Sequence, residues 1–183
     1  MVDDFARWRN YLVAKLSENP VLRIVGLASD GLEAVRQAAE LQPDLILMDV
    51  NLPNVSGIAA ARRIRELSLA SKILFVSQDL DLDVVRASLD AGGLGYVAKS
   101  GVESELLTAV DAVMSARIFV TSQLARHDFT GVISARNGGT LASRARITNL
   151  YRYLCFNTCK VERASSIALR SSRVTRAPDE IRA

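Results

Sequence analysis

Leu45-Ile46-Leu47-Met48-Asp49-Val50-Asn51-Leu52-Pro53 is the stretch of the chain that decides its fold. Its four leading apolar residues show no alternation, which predicts a short strand buried on both faces of a sheet. The polar residues and proline that follow predict a loop, so Asp49 should lie where the strand opens into that loop. In an open α/β sheet, ligands bind at the carboxyl ends of the strands. Asp49 is therefore the first candidate for a functional residue.

On both sides of this strand, apolar runs alternate with segments of helical periodicity. The predicted strands are 21–28, 44–49, 72–77 and 95–98, and the predicted helices are 5–18, 29–41, 57–67, 82–91 and 102–116. Strands that alternate with helices of this length imply right-handed crossovers and a parallel sheet covered on both faces. The sequence thus predicts a doubly wound α/β domain with a five-stranded parallel sheet in the order 2-1-3-4-5.

The first strand of that sheet is nearly missing. Only Met1 and Val2 precede the acidic pair Asp3-Asp4, where a buried strand of about five residues is expected. Either the true start lies upstream of Met1, which we favour, or the central slot is poorly filled and the domain is destabilised. Taken alone, Asp3 or Asp4 would be interpreted as the cap of the first helix.

Charge divides the 183 residues into two parts. Residues 1–130 hold 13 Lys and Arg against 17 Asp and Glu, a net charge of −4, whereas residues 131–183 hold 10 against 3, a net charge of +7. We expect a domain at 1–120 and a basic, irregular tail at 121–183, partly helical or disordered. No apolar stretch reaches the roughly 20 residues of a membrane span, and the start lacks a signal peptide, so we expect a cytoplasmic protein with no membrane partner.

The tail gives little sign of a second folded unit. Residues 144–156 have apolar positions at helical spacing and predict one helix, but a helix-turn-helix needs a pair. A charge of +7 can hold phosphates without sequence preference, yet a basic disordered tail is the simpler interpretation, so the sequence disfavours a nucleic-acid partner. The composition also fits a segment produced by a shift of reading frame.

Three strand-end residues and the acidic pair suggest chemistry at one edge of the sheet. Phosphoryl transfer to a carboxylate needs positioning and positive charge more than covalent machinery. Asp49 would be the phosphoryl acceptor, Lys99 would pair with a phosphoryl oxygen, and Ser77 would donate its hydroxyl to another. Each of these residues also has an ordinary explanation as a solvated strand end or a turn residue. Their joint order along one βα series favours the site.

The same edge offers oxygen ligands for a divalent cation. Mg²⁺ prefers octahedral oxygen ligation with several waters, so one or two carboxylates and a carbonyl suffice. The candidate ligands are Asp4, Asp49 and the backbone carbonyl of Asn51, with Asp3 holding a ligand water.

Residues 3 to about 120 resemble the receiver domain of bacterial two-component response regulators, the CheY-like superfamily. The motifs that carry the resemblance are Asp3-Asp4, Leu47 to Pro53 with Gly57, Phe75-Val76-Ser77 and Gly95-Tyr96-Val97-Ala98-Lys99. The resemblance implies a flavodoxin-like fold and a phosphorelay signalling module rather than an enzyme. Its partner would be a sensor histidine kinase or a phosphotransfer protein that donates the phosphoryl group to Asp49.

The resemblance also implies a conformational switch. Ser77 would move toward the phosphoryl group and Tyr96 would swing inward, so that the face formed by residues 82–116 changes shape and binds a second copy or an effector. Asn51 and Asp79 would flank the phosphoryl group. There they could orient an attacking water and so shorten the lifetime of the phosphorylated state.

The sequence departs from the family after Lys99. Ser100 stands where many receivers have proline, and Ser100-Gly101 is closer to the subfamily that often precedes a helix-turn-helix. Two other functions stay open: a transcription regulator whose basic tail binds DNA, and a degenerate receiver that serves only as an interaction surface, which the short first strand favours. A flavin-binding protein is disfavoured, because Asp3-Asp4 would repel its phosphate.

Overall fold

The computed structural model describes residues 1–67, 70–127 and 129, and shows helices and strands that alternate along the chain. The elements are α1 (Ala6–Ser17), α2 (Gly31–Leu41), β1 (Leu45–Met48), α3 (Gly57–Leu67), β2 (Lys72–Ser77), α4 (Leu82–Asp90), β3 (Gly93–Ala98), α5 (Val102–Met114) and β4 (Phe119–Val120), with short 3₁₀ helices at Lys99–Gly101 and Ser122–Leu124. The four strands form one parallel sheet in the order β1-β2-β3-β4. The predicted α/β fold class is confirmed. Most of the basic tail, with the helix predicted at 144–156, lies outside the described residues.

The sheet separates two apolar layers, which explains the unbroken apolar run of β1. Ile46 and Met48 pack in the layer that also receives α2, α3 and α4, whereas Leu45 and Leu47 pack in the layer with α1 and α5. All four side chains are buried. A strand covered on both faces needs apolar residues at every position.

The central slot of the sheet is filled by one residue, as the nearly missing first strand predicted. Val2 forms isolated parallel bridges with Ala28 on one side and Met48 on the other. Its N–H donates to the carbonyl of Leu47 at 3.0 Å, and its carbonyl accepts from the N–H of Asp49 at 2.9 Å. Asp3 and Asp49 are therefore held at the same edge of the sheet.

The predicted strand 21–28 is wrong over most of its length. Only Ala28 makes a bridge, and residues 21–27 contain no strand. A strand exists only where it has a partner to pair with, and here the neighbouring slot contributes a single bridging residue, Val2. The side chains of Val21 and Leu27 are accordingly exposed.

An edge strand that was not predicted extends the other side of the sheet. β4 pairs in parallel with Gly95 and Tyr96 of β3. Beyond it, Leu124 and Phe129 are buried in the same apolar cluster as Tyr96. Order therefore continues past residue 120 as far as the structure describes the chain. None of the helices in these described ranges combines the length and apolar character needed to cross a bilayer.

Candidate functional site

Lys99 lies between two buried carboxylates at the carboxyl edge of the sheet. Its Nζ donates to Asp3 Oδ2 at 2.5 Å and to Asp49 Oδ2 at 2.6 Å. Asp3 follows Val2, Asp49 follows β1 and Lys99 follows β3, so parallel topology brings the three residues to one edge. The two acids are only 2% and 5% exposed. The result is a buried cluster of two acids joined by one ammonium group.

The second oxygen of each carboxylate is also occupied. Asp49 Oδ1 accepts from the N–H of Val50 at 2.7 Å, and Asp3 Oδ1 accepts from the N–H of Phe5 at 2.9 Å. The N-cap of α1 is Phe5, with no side-chain capping bond. The interpretation of Asp3 or Asp4 as the helix cap is therefore wrong, because Asp3 binds a backbone N–H ahead of the helix and turns its other oxygen to Lys99.

Burial and charge shift the pKa values of two of these groups. Burial raises the pKa of Asp3 above its ordinary value, although the bonds from Lys99 and from the Phe5 N–H act in the opposite direction. For Lys99, burial acts to lower the pKa, but the hydrogen bonds to Asp3 and Asp49 and their charges together outweigh it, so the pKa is raised. Lys99 therefore stays a cation at neutral pH.

The donor set at this edge fits a hard divalent cation. Asp3, Asp4 and Asp49 each offer a carboxylate oxygen, and these three atoms lie within 4.8 Å of one another. Asp4 is exposed, so the cluster faces solvent on one side. The N–H of Asn51 approaches Asp49 Oδ1 at 3.4 Å, which places the backbone of Asn51 beside the carboxylates. Oxygen ligands with one open side suit Mg²⁺, which keeps several waters. The assignment of individual ligands stays a prediction.

Ser77 and Tyr96 lie on the neighbouring strands β2 and β3, two positions apart in register, because Tyr96 pairs with Phe75 and Ser77 pairs with Ala98. Ser77 ends β2, is fully buried and accepts a 3.4 Å contact from the N–H of Asp79. Tyr96 is also fully buried, and its hydroxyl donates to the carbonyl of Asp79 at 2.6 Å. Burial raises the pKa of the Tyr96 phenol, opposed by the Ser77 hydroxyl, so the phenol remains a neutral donor. Tyr96 thus points inward and is tied to the loop that follows Ser77.

Two residues of α1 also reach the site, although sequence reasoning gave them no role there. The Trp8 ring lies with its centroid 5.6 Å from Lys99 Nζ. Arg9 Nη1 donates to the carbonyl of Asp3 at 2.5 Å. Both residues come one turn after the acidic pair on a helix that starts at the sheet edge. That spacing indicates that they lie near Asp3, but it does not indicate the contact between Trp8 and Lys99.

Comparison with known proteins gives consistent matches for this chain. The sequence profile of the response regulator receiver domain matches residues 1–111. The transcriptional regulatory protein LiaR of Bacillus subtilis is 37% identical over 126 residues, which cover 68% of this chain and 59% of LiaR. Protein-glutamate methylesterase/protein-glutamine glutaminase 3 of Geobacter sulfurreducens is 34% identical over 110 residues, or 59% of this chain and 29% of that protein. The chain therefore spans less than two thirds of either relative.

A solved structure agrees with these matches. The two-component response regulator of the LuxR family from Aurantimonas sp. SI85-9A1 superposes with a TM-score of 0.66 at 30% identity, covering 74% of this chain and 94% of that one. A transcriptional regulatory protein and an enzyme both appear among these relatives. The chain belongs to the response regulator receiver domain family.

Proposed function

We propose that this receiver accepts a phosphoryl group on Asp49 from a sensor histidine kinase or a phosphotransfer protein. The observation that supports this most directly is the Lys99 ammonium, which bonds to the buried carboxylates of Asp3 and Asp49. Two acids at a strand edge are costly to bury unless cations compensate. An ammonium beside the acceptor is the group that phosphoryl transfer needs.

The proposed step is a displacement at phosphorus. A carboxylate oxygen of Asp49 forms a bond to the phosphorus of a phosphohistidine while the P–N bond breaks, and the electron pair of that bond returns to the imidazole, which takes up a proton. Lys99 offsets negative charge on the phosphoryl oxygens. The N–H groups of Val50 and Asn51, which point at Asp49 Oδ1, fix the orientation of the carboxylate.

A divalent cation belongs to the same proposal. Asp3, Asp4, Asp49 and the carbonyl of Asn51 would hold Mg²⁺, which when bound supplies further positive charge for the transferred group. The chain's own contribution is to hold the two buried carboxyl groups beside the Lys99 ammonium.

The signal would leave the site through Ser77 and Tyr96. In the proposed switch, the Ser77 hydroxyl donates to a phosphoryl oxygen and shifts the loop that carries Asp79. The bond from the Tyr96 hydroxyl to the Asp79 carbonyl supports such a connection, because it links that loop to β3. The face formed by residues 82–116 would then change shape and bind a second copy or an effector.

The test is intact-mass analysis after incubation with acetyl phosphate and magnesium. The wild type should gain the mass of one phosphoryl group, and the gain should require both magnesium and Asp49. Asp49→Asn is the loss variant, and Asp44→Asn at the opposite end of the same strand is the matched control. A folded protein that gains no mass would contradict the proposal and leave the degenerate receiver as the better interpretation.

A second candidate is a transcription regulator that binds DNA. LiaR is named a transcriptional regulatory protein and the Aurantimonas structure a LuxR-family regulator, and residues 131–183 of this chain carry a net charge of +7. We retain the division into a receiver at 1–120 and a basic tail at 121–183 as part of the proposal. A salt-sensitive gel shift with a defined sequence preference would support DNA binding, and a shift without preference would count against it.

A further inference from the structure

Trp8 is the single tryptophan of the chain, and its ring faces the Lys99 ammonium. The distance from Lys99 Nζ to the ring centroid is 5.6 Å, within the range of a cation–π contact. The ring is half-buried and stacks on Tyr11 with a centroid separation of 5.1 Å and an interplanar angle of 29°. Trp8 is therefore packed against a second aromatic ring of α1.

The bonds of Lys99 leave one side of its ammonium for the ring. An ammonium has three N–H donors, and two of them are used by Asp3 and Asp49. Among the described residues, the remaining contact is the Trp8 ring. The negative face of an aromatic ring attracts a cation, and the ring also limits the access of water to it. A lysine side chain is long and flexible, so its ammonium needs such a support to keep one position.

We infer that Trp8 is a positioning residue for the phosphoryl-binding lysine. Its ring holds the Lys99 ammonium against both carboxylates and thereby sets how fast Asp49 accepts a phosphoryl group. This inference rests on the proposed function of Asp49.

The face of the ring, and not its N–H, carries this role. Trp8 Nε1 is buried with no hydrogen-bond partner among the described residues. Replacement by phenylalanine removes that unpaired donor and keeps an aromatic face, whereas replacement by leucine keeps apolar volume and removes the face. Trp8 also packs against the apolar layer of Leu12 and Leu16, so a purely structural role predicts similar effects of both changes.

The experiment compares rates of acetyl phosphate labelling in the wild type, Trp8→Phe, Trp8→Leu and Trp8→Met, each followed by intact mass with magnesium. Unfolding free energies are measured in parallel. Trp8→Phe should label within about twofold of the wild type, and Trp8→Leu and Trp8→Met about fivefold more slowly. Two aliphatic variants are used so that one remains if the other fails to fold.

A second readout does not need phosphorylation. The NMR signals of the Lys99 side-chain protons next to Nζ should show the upfield shift caused by a nearby ring face in the wild type and in Trp8→Phe, and should lose it in Trp8→Leu. If the wild type is labelled but Trp8→Phe, Trp8→Leu and Trp8→Met are all labelled at the same rate, the inference about Trp8 is overturned and the proposed function of Asp49 stands. No labelling of the wild type would overturn the proposed function, and the rate effect with it.

Discussion

Asp3 and Lys99 are 96 positions apart in the sequence, and their charged groups lie 2.5 Å apart in the fold. Asp3 follows Val2, which fills the central slot of the sheet, and Lys99 follows β3. Asp3 is 2% exposed, and burial raises its pKa despite this partner. The position of Asp3 in the site therefore disfavours the ionised form of its carboxyl group.

Asp3→Asn should stabilise the protein while weakening its proposed chemistry. A folded-state pKa above the unfolded value means that the ionised side chain opposes folding at neutral pH, and the amide removes that charge while Lys99 keeps its bond to Asp49. We expect a gain of about 1 kcal/mol in unfolding free energy, measured by urea denaturation. Labelling with acetyl phosphate should slow at least about tenfold. The exposed Asp4→Asn is the control and should change stability by less than about 0.5 kcal/mol. A destabilised Asp3→Asn would contradict the argument.

Alkaline pH should remove the stabilisation that Lys99 provides. The pKa of Lys99 in the fold is raised above 10.5, so its contribution is complete below that pH and is lost as the pH rises through the folded-state value. Other ionisable groups also lose protons at alkaline pH, so the informative quantity is the difference in unfolding free energy between the wild type and Lys99→Met. Their unfolding free energies should converge as the pH rises above 10.5. Parallel curves would show that Lys99 is not the group responsible.

Gly57→Ala should disturb the loop that carries Asp49. The Gly57 N–H donates to the carbonyl of Val50 at 2.9 Å, and a Cβ on Gly57 would meet the backbone oxygen of Asp49 at 1.8 Å. Backbone cannot rotate away as a flexible side chain does, so we expect a loss of about 1–3 kcal/mol in unfolding free energy and slower labelling. Gly101→Ala is the control, because its closest contact is the flexible side chain of Glu105 at 3.1 Å. Equal stabilities of the two variants would contradict the proposed clash.

Glu105→Ala should loosen the segment after α5. The Glu105 carboxylate accepts from the Thr121 and Ser122 hydroxyls and from the Ser122 N–H. Without these bonds, amide hydrogen exchange in residues 119–124 should accelerate, and the unfolding free energy should fall by about 1–3 kcal/mol. Glu103→Ala on the same helix is the control.

That control removes bonds to α1 and none to the segment after α5. Glu103 is 72% exposed and accepts from the Lys15 ammonium and the Tyr11 hydroxyl, so its loss should cost about 1 kcal/mol and leave exchange in 119–124 unchanged. Equal acceleration of exchange in both variants would show that α5, and not the Glu105 bonds, controls this segment.

The parts of the fold that sequence reasoning predicted are those encoded locally. The bounds of α3 and β2 agree with the predictions of 57–67 and 72–77, because a continuous apolar run and an amphipathic helix are visible within a short window. The convergence of Asp3, Asp49 and Lys99 follows from parallel topology, which puts strand ends at one edge.

The features that sequence reasoning missed depend on distant partners. Residues 21–27 are apolar enough for a strand, but their pairing depends on a neighbour that contributes only Val2. β4 has two residues, too few to show any periodicity. The proximity of Trp8 to Lys99 depends on how α1 is rotated against an element 91 positions away, which no local pattern records.

Val2 links residues 3–41 to β1 through two backbone hydrogen bonds, from its own N–H to Leu47 and from the Asp49 N–H to its carbonyl. A segment held by few bonds opens locally at a lower free energy than the whole domain requires. We expect that opening of this joint would separate Asp3 from Asp49 and Lys99 while the rest of the sheet stays intact. A substitution at the buried valine should then change how often the acidic cluster is assembled without unfolding the protein.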